Sequence, residues 1–179
     1  TINPATEEAI AEYDLMPKEE VIDAAKKSHA AFHEWKRLDV SERADYFRKL
    51  AQVLRSNKER YAKLMTLEMG KPIKQSLTEV EKCAWSAEVY ASNAEKWLEE
   101  EIVHADGKKH LVVFEPLGAI LSIMPWNFPF WQAFRFGIPT LIAGNVSILK
   151  HSNQVPQCAI AIEEAFNEVI IKWLTMILL

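Results

Sequence analysis

The chain has 179 residues, of which 49% are hydrophobic and 26% are charged, a balance typical of a globular protein of one domain or slightly more. Its net charge of −4, without a basic stripe, gives no electrostatic support for nucleic-acid binding. The two cysteines form neither a disulfide framework nor a metal-binding pattern. No signal peptide or membrane span is visible, so we expect a cytoplasmic protein that binds neither nucleic acid nor membrane.

Four amphipathic helices are predicted in the first hundred residues, after one or two short strands within residues 2–14. Each helix has apolar residues at spacings of three and four, which places them on one face. Asp39 and Glu42 are spaced as in a capping box, and Gly70 followed by Pro72 is expected to end the third helix. The predicted helices are Lys18–Trp35, Asp39–Ser56, Lys58–Glu68 and Lys74–Leu98.

The pattern changes at Ile102, where two β-rich runs flank Asp106-Gly107, a signal for a two-residue hairpin turn. Strand, helix, strand and helix follow, which is typical of a parallel sheet with right-handed crossovers. Ala119–Met124 is a continuous apolar run, as expected of a strand covered on both faces, and Pro139 is expected to kink the next helix. The predicted elements are strands Ile102–His104, His110–Phe114, Ala119–Met124 and Val146–Leu149, and helices Phe130–Ala143 and Val155–Asn167.

These elements predict an α/β fold that ends in an incomplete, doubly wound Rossmann-like sheet, because such a sheet has more strands than this chain supplies. Residues 1–100 are interpreted as the helical part of a cofactor domain, 101–116 as a hairpin and 117–168 as the first βαβα unit. The apolar tail 169–179 is far shorter than the roughly 20 residues that span a bilayer. It is either an aberrant end, or a strand or helix that packs against a neighbour.

The most informative segment for function is Met124–Pro129, with the sequence MPWNFP, between the first parallel strand and the next helix. Ligands of open α/β sheets bind at the carboxyl ends of the strands, and both prolines have fixed φ angles. A rigid Asn amide there can donate a hydrogen bond to a carbonyl or oxyanion. On the residues alone, a turn whose Asn caps the next helix is an equally good interpretation. The sequence has no glycine-rich nucleotide loop, nucleophile elbow or metal-ligand spacing.

The chain resembles the N-terminal portion of the aldehyde dehydrogenase superfamily in four segments that occur in the family's order. The PWNFP motif is followed by an apolar helix, a Gly-Asn pair and a strand that ends in Lys150, as in the family. The resemblance covers roughly residues 1 to 167 and is greatest to NAD(P)-dependent succinate-semialdehyde dehydrogenases. It implies an oxidoreductase that converts an aldehyde to a carboxylate with NAD or NADP. The other matching segments are Asn3–Thr6, Leu67–Pro72 and Glu115–Gly118.

The resemblance implies roles for individual residues. Asn127 matches the Asn whose amide stabilises the oxyanion of the thiohemiacetal, and Lys150 matches the Lys that binds the adenosine ribose. Arg135 matches an Arg that contacts the substrate carboxylate in succinate-semialdehyde dehydrogenases, although a structural pairing of this Arg is the alternative. Phe128 is assigned to the substrate side of the site. The segment lining the nicotinamide is matched by Met124, Pro125 and Trp126.

Asn153 lies where many NAD-specific members of the family have a Glu. A carboxylate at this position would repel a 2′-phosphate, whereas a neutral amide would not, and Lys150 would attract it. We therefore expect that NADP is tolerated or preferred.

Family catalysis also requires a nucleophilic Cys and a general-base Glu, for which this chain has no counterpart. Cys83 and Cys158 lie within predicted helices and are expected to be buried structural thiols. We therefore expect a truncated chain that is inactive alone, with a small-molecule aldehyde as the substrate of its full-length relative.

The alternative is a non-catalytic module for cofactor binding or oligomerisation. Family members oligomerise partly through the hairpin that residues 101–114 match, and an exposed sheet edge recruits other chains. A homo-oligomer is therefore expected. A third interpretation, a membrane-anchored helical protein, rests on the apolar tail alone.

Overall fold

The computed structural model describes residues 1–169 and 174–177. From Lys18 onward, the helices and strands predicted from the sequence patterns are present, with small shifts at their ends. In chain order the elements are α1 Lys18–Trp35, α2 Val40–Ser56, α3 Lys58–Met69, α4 Ile73–Trp97, β1 Glu101–Val103, β2 His110–Val112, β3 Ala119–Met124, α5 Pro129–Ile142, β4 Val146–His151, α6 Pro156–Val169 and β5 Leu174–Ile177.

Local signals set the ends of the N-terminal helices as predicted. The Glu42 carboxylate accepts a hydrogen bond of 2.8 Å from the Asp39 N–H and completes a capping box at the start of α2. Gly70 ends α3 in the left-handed region at φ 71°, where a residue with a β-carbon would be strained. A β-carbon at this position would also lie 3.1 Å from Cγ of Pro4. Glycine is therefore required by both the backbone conformation and the close approach.

The strands form one antiparallel pair, β1 with β2, and a parallel sheet in the order β3-β4-β5. Met124, the last residue of β3, is opposite His151, the last residue of β4. Both strands therefore end at the same edge of the sheet, which we call the carboxyl rim. Of the apolar tail, Leu174–Ile177 forms a strand beside β4, one of the two predicted alternatives. Residues 170–173 and 178–179 lie outside the described residues.

Three predictions about strands and turns need correction. The turn between β1 and β2 spans residues 104–109, because Val103 pairs with His110, and it is not the two-residue turn expected at Asp106-Gly107. β3 is covered on one face only, with Leu121 exposed by 58% and Ile123 by 71%. The reason is that β3 is an edge strand: α1 covers Ile148 of β4 but leaves Leu121, its partner in the sheet, exposed. The strands expected within residues 2–14 reduce to one isolated antiparallel bridge, between Ile2 and Ala9. Pro139 lies inside α5, and its kink stays a prediction.

One hydrophobic core joins the N-terminal helices to the βαβα unit. A row of aromatic rings runs through it. Phe134 stacks on Phe130 and Phe166, with ring centroids 6.1 and 5.0 Å apart, and Tyr61 of α3 lies 5.1 Å from Phe130. The helical segment and the parallel sheet therefore share their interior.

Buried charged side chains of the N-terminal helices also hold the ends of the later helices. At the start of α6, the Glu68 carboxylate accepts hydrogen bonds from the N–H groups of Gln157 at 2.9 Å and Cys158 at 2.8 Å. The first N–H groups of a helix have no partner within the helix, and its positive end attracts an anion. Glu68 is 4% exposed, so the charged side chain is itself buried where it binds these two donors.

The carboxyl end of α5 is held by side chains that donate hydrogen bonds, whereas Glu68 accepts them at the start of α6. Arg43 of α2 donates from Nε to the Ile142 carbonyl at 2.8 Å, and the Trp35 indole donates to the Leu141 carbonyl at 2.8 Å. These are among the last carbonyls of the helix, which have no partner within it. A cation at this end also interacts favourably with the helix dipole. The N-terminal helices therefore fix where α5 ends.

We expect Glu68→Gln to lower the free energy of unfolding by about 2 kcal/mol, because an amide oxygen replaces a charged acceptor that serves two buried N–H groups. Urea denaturation measures the change. The matched control is Glu95→Gln on the exposed surface of α4, which should change stability by less than about 0.5 kcal/mol. Equal effects of the two substitutions would contradict the cap.

Candidate functional site

The carboxyl rim brings together the residues assigned to the cofactor. Trp126 follows β3 and is 45% exposed, while Lys150 lies at the end of β4. The Lys150 ammonium donates a hydrogen bond of 3.1 Å to Oδ1 of Asn153. Trp126 and Asn153 both line one surface cavity of about 600 Å³, to which Glu68 and Met69 also contribute. The sheet edge where ligands of α/β proteins bind thus carries the Lys150 ammonium, the Asn153 amide and the Trp126 indole.

Asn127 is held at both of its oxygens. Its backbone carbonyl accepts a hydrogen bond of 3.1 Å from the ammonium of Lys71, and its Oδ1 accepts one of 3.0 Å from Nε2 of Gln132. The side-chain NH₂ group keeps its two donors. Because Asn127 is exposed, those donors are accessible to a ligand.

The start of α5 is capped by Glu79, not by Asn127. The Glu79 carboxylate accepts hydrogen bonds of 3.0 Å from the N–H groups of both Phe130 and Trp131. The interpretation of Asn127 as a helix cap is therefore wrong, because a buried carboxylate from α4 already binds those donors.

Glu79 also forms a buried ion pair with Lys71. The Glu79 side chain is 3% exposed and the Lys71 side chain is 6% exposed. The Lys71 ammonium lies 3.8 Å from the centre of the Phe128 ring, a distance at which a cation and an aromatic face attract. Sequence reasoning missed both residues and Gln132. The sequence could have indicated Lys71, because it lies in the Leu67–Pro72 segment that matches the family. For Glu79 the only sequence signal is its position on the buried face of α4.

A second cavity, of about 400 Å³, lies between α4 and the start of α5. Phe128 and Trp131 form its aromatic side, and Lys82 lies over the Trp131 ring at 3.8 Å from the centroid. Arg135 follows Trp131 by four residues, which is about one helical turn. It is exposed and has no ion pair within the described part of the chain, so the structural pairing considered for it is absent there.

His151 is buried next to the carboxyl rim. Its Nδ1 accepts a hydrogen bond of 2.8 Å from the Ser152 N–H, so Nε2 carries the proton and donates to the Pro129 carbonyl at 3.0 Å. Burial lowers the pKa of His151; the hydrogen bond to Pro129 opposes this shift, and the charge of Lys150 adds to it. The ring is therefore a neutral link between the end of β4 and the start of α5.

Both cysteines are buried free thiols, as predicted. Burial raises the pKa of Cys83 and of Cys158 well above the ordinary value, and the nearby carboxylates of Glu79 and Glu68 raise them further. Within residues 1–169 and 174–177, no group of three or more potential metal ligands occurs. None of the helices described there is long and apolar enough to span a membrane.

Residues 1–172 match the family model described as the aldehyde dehydrogenase family. Among similar curated proteins, a probable NADP-dependent succinate-semialdehyde dehydrogenase of Synechocystis sp. is 45% identical over 167 residues, covering 93% of this chain and 37% of that protein. The succinate-semialdehyde dehydrogenase [NADP(+)] of Mycobacterium leprae is 41% identical over 163 residues, with 89% and 36% covered. The chain thus spans just over a third of the length of these relatives.

Solved structures of whole enzymes contain the same arrangement. The succinic semialdehyde dehydrogenase of Streptococcus pyogenes, in complex with NADP⁺, matches with a TM-score of 0.96 and 31% identity, covering 100% of this chain and 40% of that one. A betaine aldehyde dehydrogenase of Staphylococcus aureus, in complex with NAD⁺, matches with a TM-score of 0.92 and 27% identity, covering 99% and 37%.

The buried neutral His151 predicts a loss of stability in mild acid. Its folded-state pKa lies below the value of about 6.5 of an unfolded chain, so below that pH the unfolded state binds more protons and is favoured. We expect the contribution of His151 to fall by up to about 1.4 kcal/mol per pH unit as the pH drops from 6.5 to 5. The measurement is urea denaturation at several pH values.

The His151→Asn variant should lose this part of the pH dependence, whereas His104→Asn, a change on the exposed hairpin, should keep it. Parallel pH profiles of the native chain and the His151→Asn variant would contradict the assignment.

Proposed function

The chain belongs to the aldehyde dehydrogenase family, and we propose that it is the N-terminal part of the cofactor-binding domain of an NADP-using enzyme that oxidises succinate semialdehyde to succinate. The proposal rests mainly on one observation: Asn127, whose amide NH₂ group has no hydrogen-bond partner among the described residues, shares a sheet edge with the Lys150–Asn153 pair. An oxyanion donor and a binding site for the cofactor are thereby adjacent.

The hydrogen bonds of Asn127 support a role as an oxyanion donor. Its amide follows β3 at the carboxyl rim, and its oxygen is already engaged by Gln132. The NH₂ group can then donate to the oxygen of an aldehyde as negative charge develops on it. Such a donor is effective because it is oriented before the reaction begins, and removing one typically costs about 10²–10³ in rate.

The cofactor side of the rim suits a dinucleotide with a 2′-phosphate. Lys150 supplies a cation and Asn153 a neutral amide where a carboxylate would repel a phosphate. Trp126, with an exposed indole beside the cavity of about 600 Å³, offers an apolar surface. Met124 and Pro125 precede it in the chain, and the family resemblance assigns them to the nicotinamide side. Bound there, the nicotinamide ring would accept the hydride from the substrate.

The substrate side suits an aldehyde that carries a carboxylate. Phe128 and Trp131 give the cavity of about 400 Å³ an aromatic wall for an apolar stem. Arg135, exposed one turn further along α5 and unpaired within the described residues, can bind a carboxylate with two parallel hydrogen bonds. The names of the relatives from Synechocystis and Mycobacterium leprae agree with this substrate class.

The chain by itself is proposed to be catalytically inactive. Its two cysteines, Cys83 and Cys158, are buried in helices and held in the thiol form, so neither can supply a thiolate to attack an aldehyde.

A non-catalytic role in cofactor binding or homo-oligomerisation is the second candidate function. The hairpin favours it, because Ile102 is 70% exposed and Val113 is 50% exposed. Such an apolar surface suits a protein interface.

We expect Asn153→Glu to weaken NADP⁺ binding by about tenfold and to leave NAD⁺ binding nearly unchanged, because the new carboxylate repels the 2′-phosphate. Saturation-transfer NMR titrations with the two dinucleotides measure both affinities. Asn153→Gln, which keeps a neutral amide, is the matched control. A strict preference of the native chain for NAD⁺ would contradict the NADP assignment.

We also expect the purified chain to form no NADPH when mixed with NADP⁺ and succinate semialdehyde, followed by absorbance. The reason is that no accessible thiolate is available to form the thiohemiacetal. Turnover that is lost in Cys83→Ala or Cys158→Ala would show instead that one of these thiols becomes reactive.

A further inference from the structure

We propose that Lys71 and Gln132 are positioning residues for Asn127, and that together they determine which end of its amide faces the ligand. Neither residue acts on the substrate directly. Each acts on one oxygen of Asn127, Lys71 on the backbone carbonyl and Gln132 on the side-chain carbonyl.

Lys71 holds the main chain of the PWNFP segment. Its ammonium contacts three groups at once: the Glu79 carboxylate, the Asn127 carbonyl at 3.1 Å and the face of the Phe128 ring at 3.8 Å. The stem of Lys71 is buried, so the ammonium is confined to this position. An apolar side chain of similar length, such as that of Met, could provide none of these three contacts.

Glu79 connects this anchor to the helix that follows the motif. One carboxylate oxygen pairs with Lys71, and the other accepts the N–H groups of Phe130 and Trp131. The residues on both sides of Pro129 are therefore held by one buried ion pair. If Lys71 is replaced by an apolar residue, Glu79 loses its ion-pair partner and is less firmly held against the start of α5, which weakens it as a cap.

Gln132 selects the orientation of the Asn127 amide. An Asn side chain has an acceptor end and a donor end, and the end bound inside the protein determines which end is presented outside. Nε2 of Gln132 binds the oxygen, so the NH₂ group is presented. The catalytic consequence rests on the proposed function: a reversed amide would direct an oxygen at a developing oxyanion and forfeit the stabilisation of about 10²–10³ in rate.

The first test is amide hydrogen exchange in Lys71→Met, followed by NMR. The four N–H groups bonded to buried carboxylates form an internal comparison, Phe130 and Trp131 on Glu79 against Gln157 and Cys158 on Glu68. We expect exchange at Phe130 and Trp131 to become at least about tenfold faster relative to the other pair. Lys74→Met, a change at an exposed lysine on α4, is the control and should leave the ratio unchanged.

A uniform change in all four exchange rates, or no change, would contradict the positioning role, because a general loss of stability affects both caps alike. If Lys71→Met does not fold, Lys71→Arg preserves the charge. It should keep the exchange ratio of the native chain, and a shift of that ratio to the value expected of Lys71→Met would overturn the proposal.

The second test is Gln132→Glu, measured above the pKa of the new carboxylate. A carboxylate only accepts hydrogen bonds, so it should bind the NH₂ group of Asn127 and turn the oxygen outward. We expect the Asn127 side-chain NH₂ protons to exchange with water at least about fivefold more slowly than in the native chain. Gln52→Glu on the exposed surface of α2 is the control. Unchanged Asn127 side-chain signals would show that its orientation does not depend on Gln132.

Neither test requires a cofactor or a substrate, so the failure of either test is distinct from a failure of the proposed function. The latter is judged by NADP⁺ binding. If both variants show the expected NMR changes but the native chain has no affinity for NADP⁺, the positioning role is kept and the proposed function is refuted.

Discussion

Buried charges at the ends of α5 and α6 are the constraint on which the rest of this structure depends. Glu79 binds the first N–H groups of α5, Arg43 binds a carbonyl at its last turn, and Glu68 binds the first N–H groups of α6. Each charge has the sign that the helix dipole favours. All three are on helices of the N-terminal segment and are at most 7% exposed. Removing one would leave buried backbone groups without a partner, which costs more than the bond itself contributes. The two halves of the chain are therefore joined by polar contacts at defined positions as well as by the hydrophobic core.

These buried charges also hold the carboxyl rim in place. The rim is formed by the segments that follow β3 and β4, and such connecting segments have no ladder of their own to fix them. Glu79 anchors the start of α5 and, through Lys71, the carbonyl of Asn127. His151 adds a neutral link from the end of β4 to Pro129. A ligand that binds at this edge thus meets groups oriented before it arrives, which is the condition under which an oxyanion donor is most effective.

Much of the fold follows from the sequence because its signals are local. Spacings of three and four predict the helices, and Asp39 and Gly70 predict where helices begin and end, whereas Asp106-Gly107 predicts a turn shorter than the one observed. Parallel strands joined by a helix place Asn127 and Lys150 at one edge whatever the details of packing. The carboxylate caps of α5 and α6 could not be predicted from the sequence. Helical periodicity shows that Glu79 lies on the buried face of α4, but it does not show which N–H groups the carboxylate will bind. The exposure of β3 depends on what lies over the sheet, which its apolar run does not reveal. The family resemblance identified Asn127, whereas its orientation depends on a contact with Gln132 that no motif contains.

The central claim is that the rim formed by β3 and β4, held by the N-terminal helices, is the binding site for the dinucleotide. Chemical-shift mapping of the native chain titrated with NADP⁺ tests it most directly. The account predicts that the perturbed amides cluster at residues 124–127 and 150–154. Perturbations confined to the opposite edge of the sheet, around Gly118 and Asn145, or to the hairpin, would contradict it.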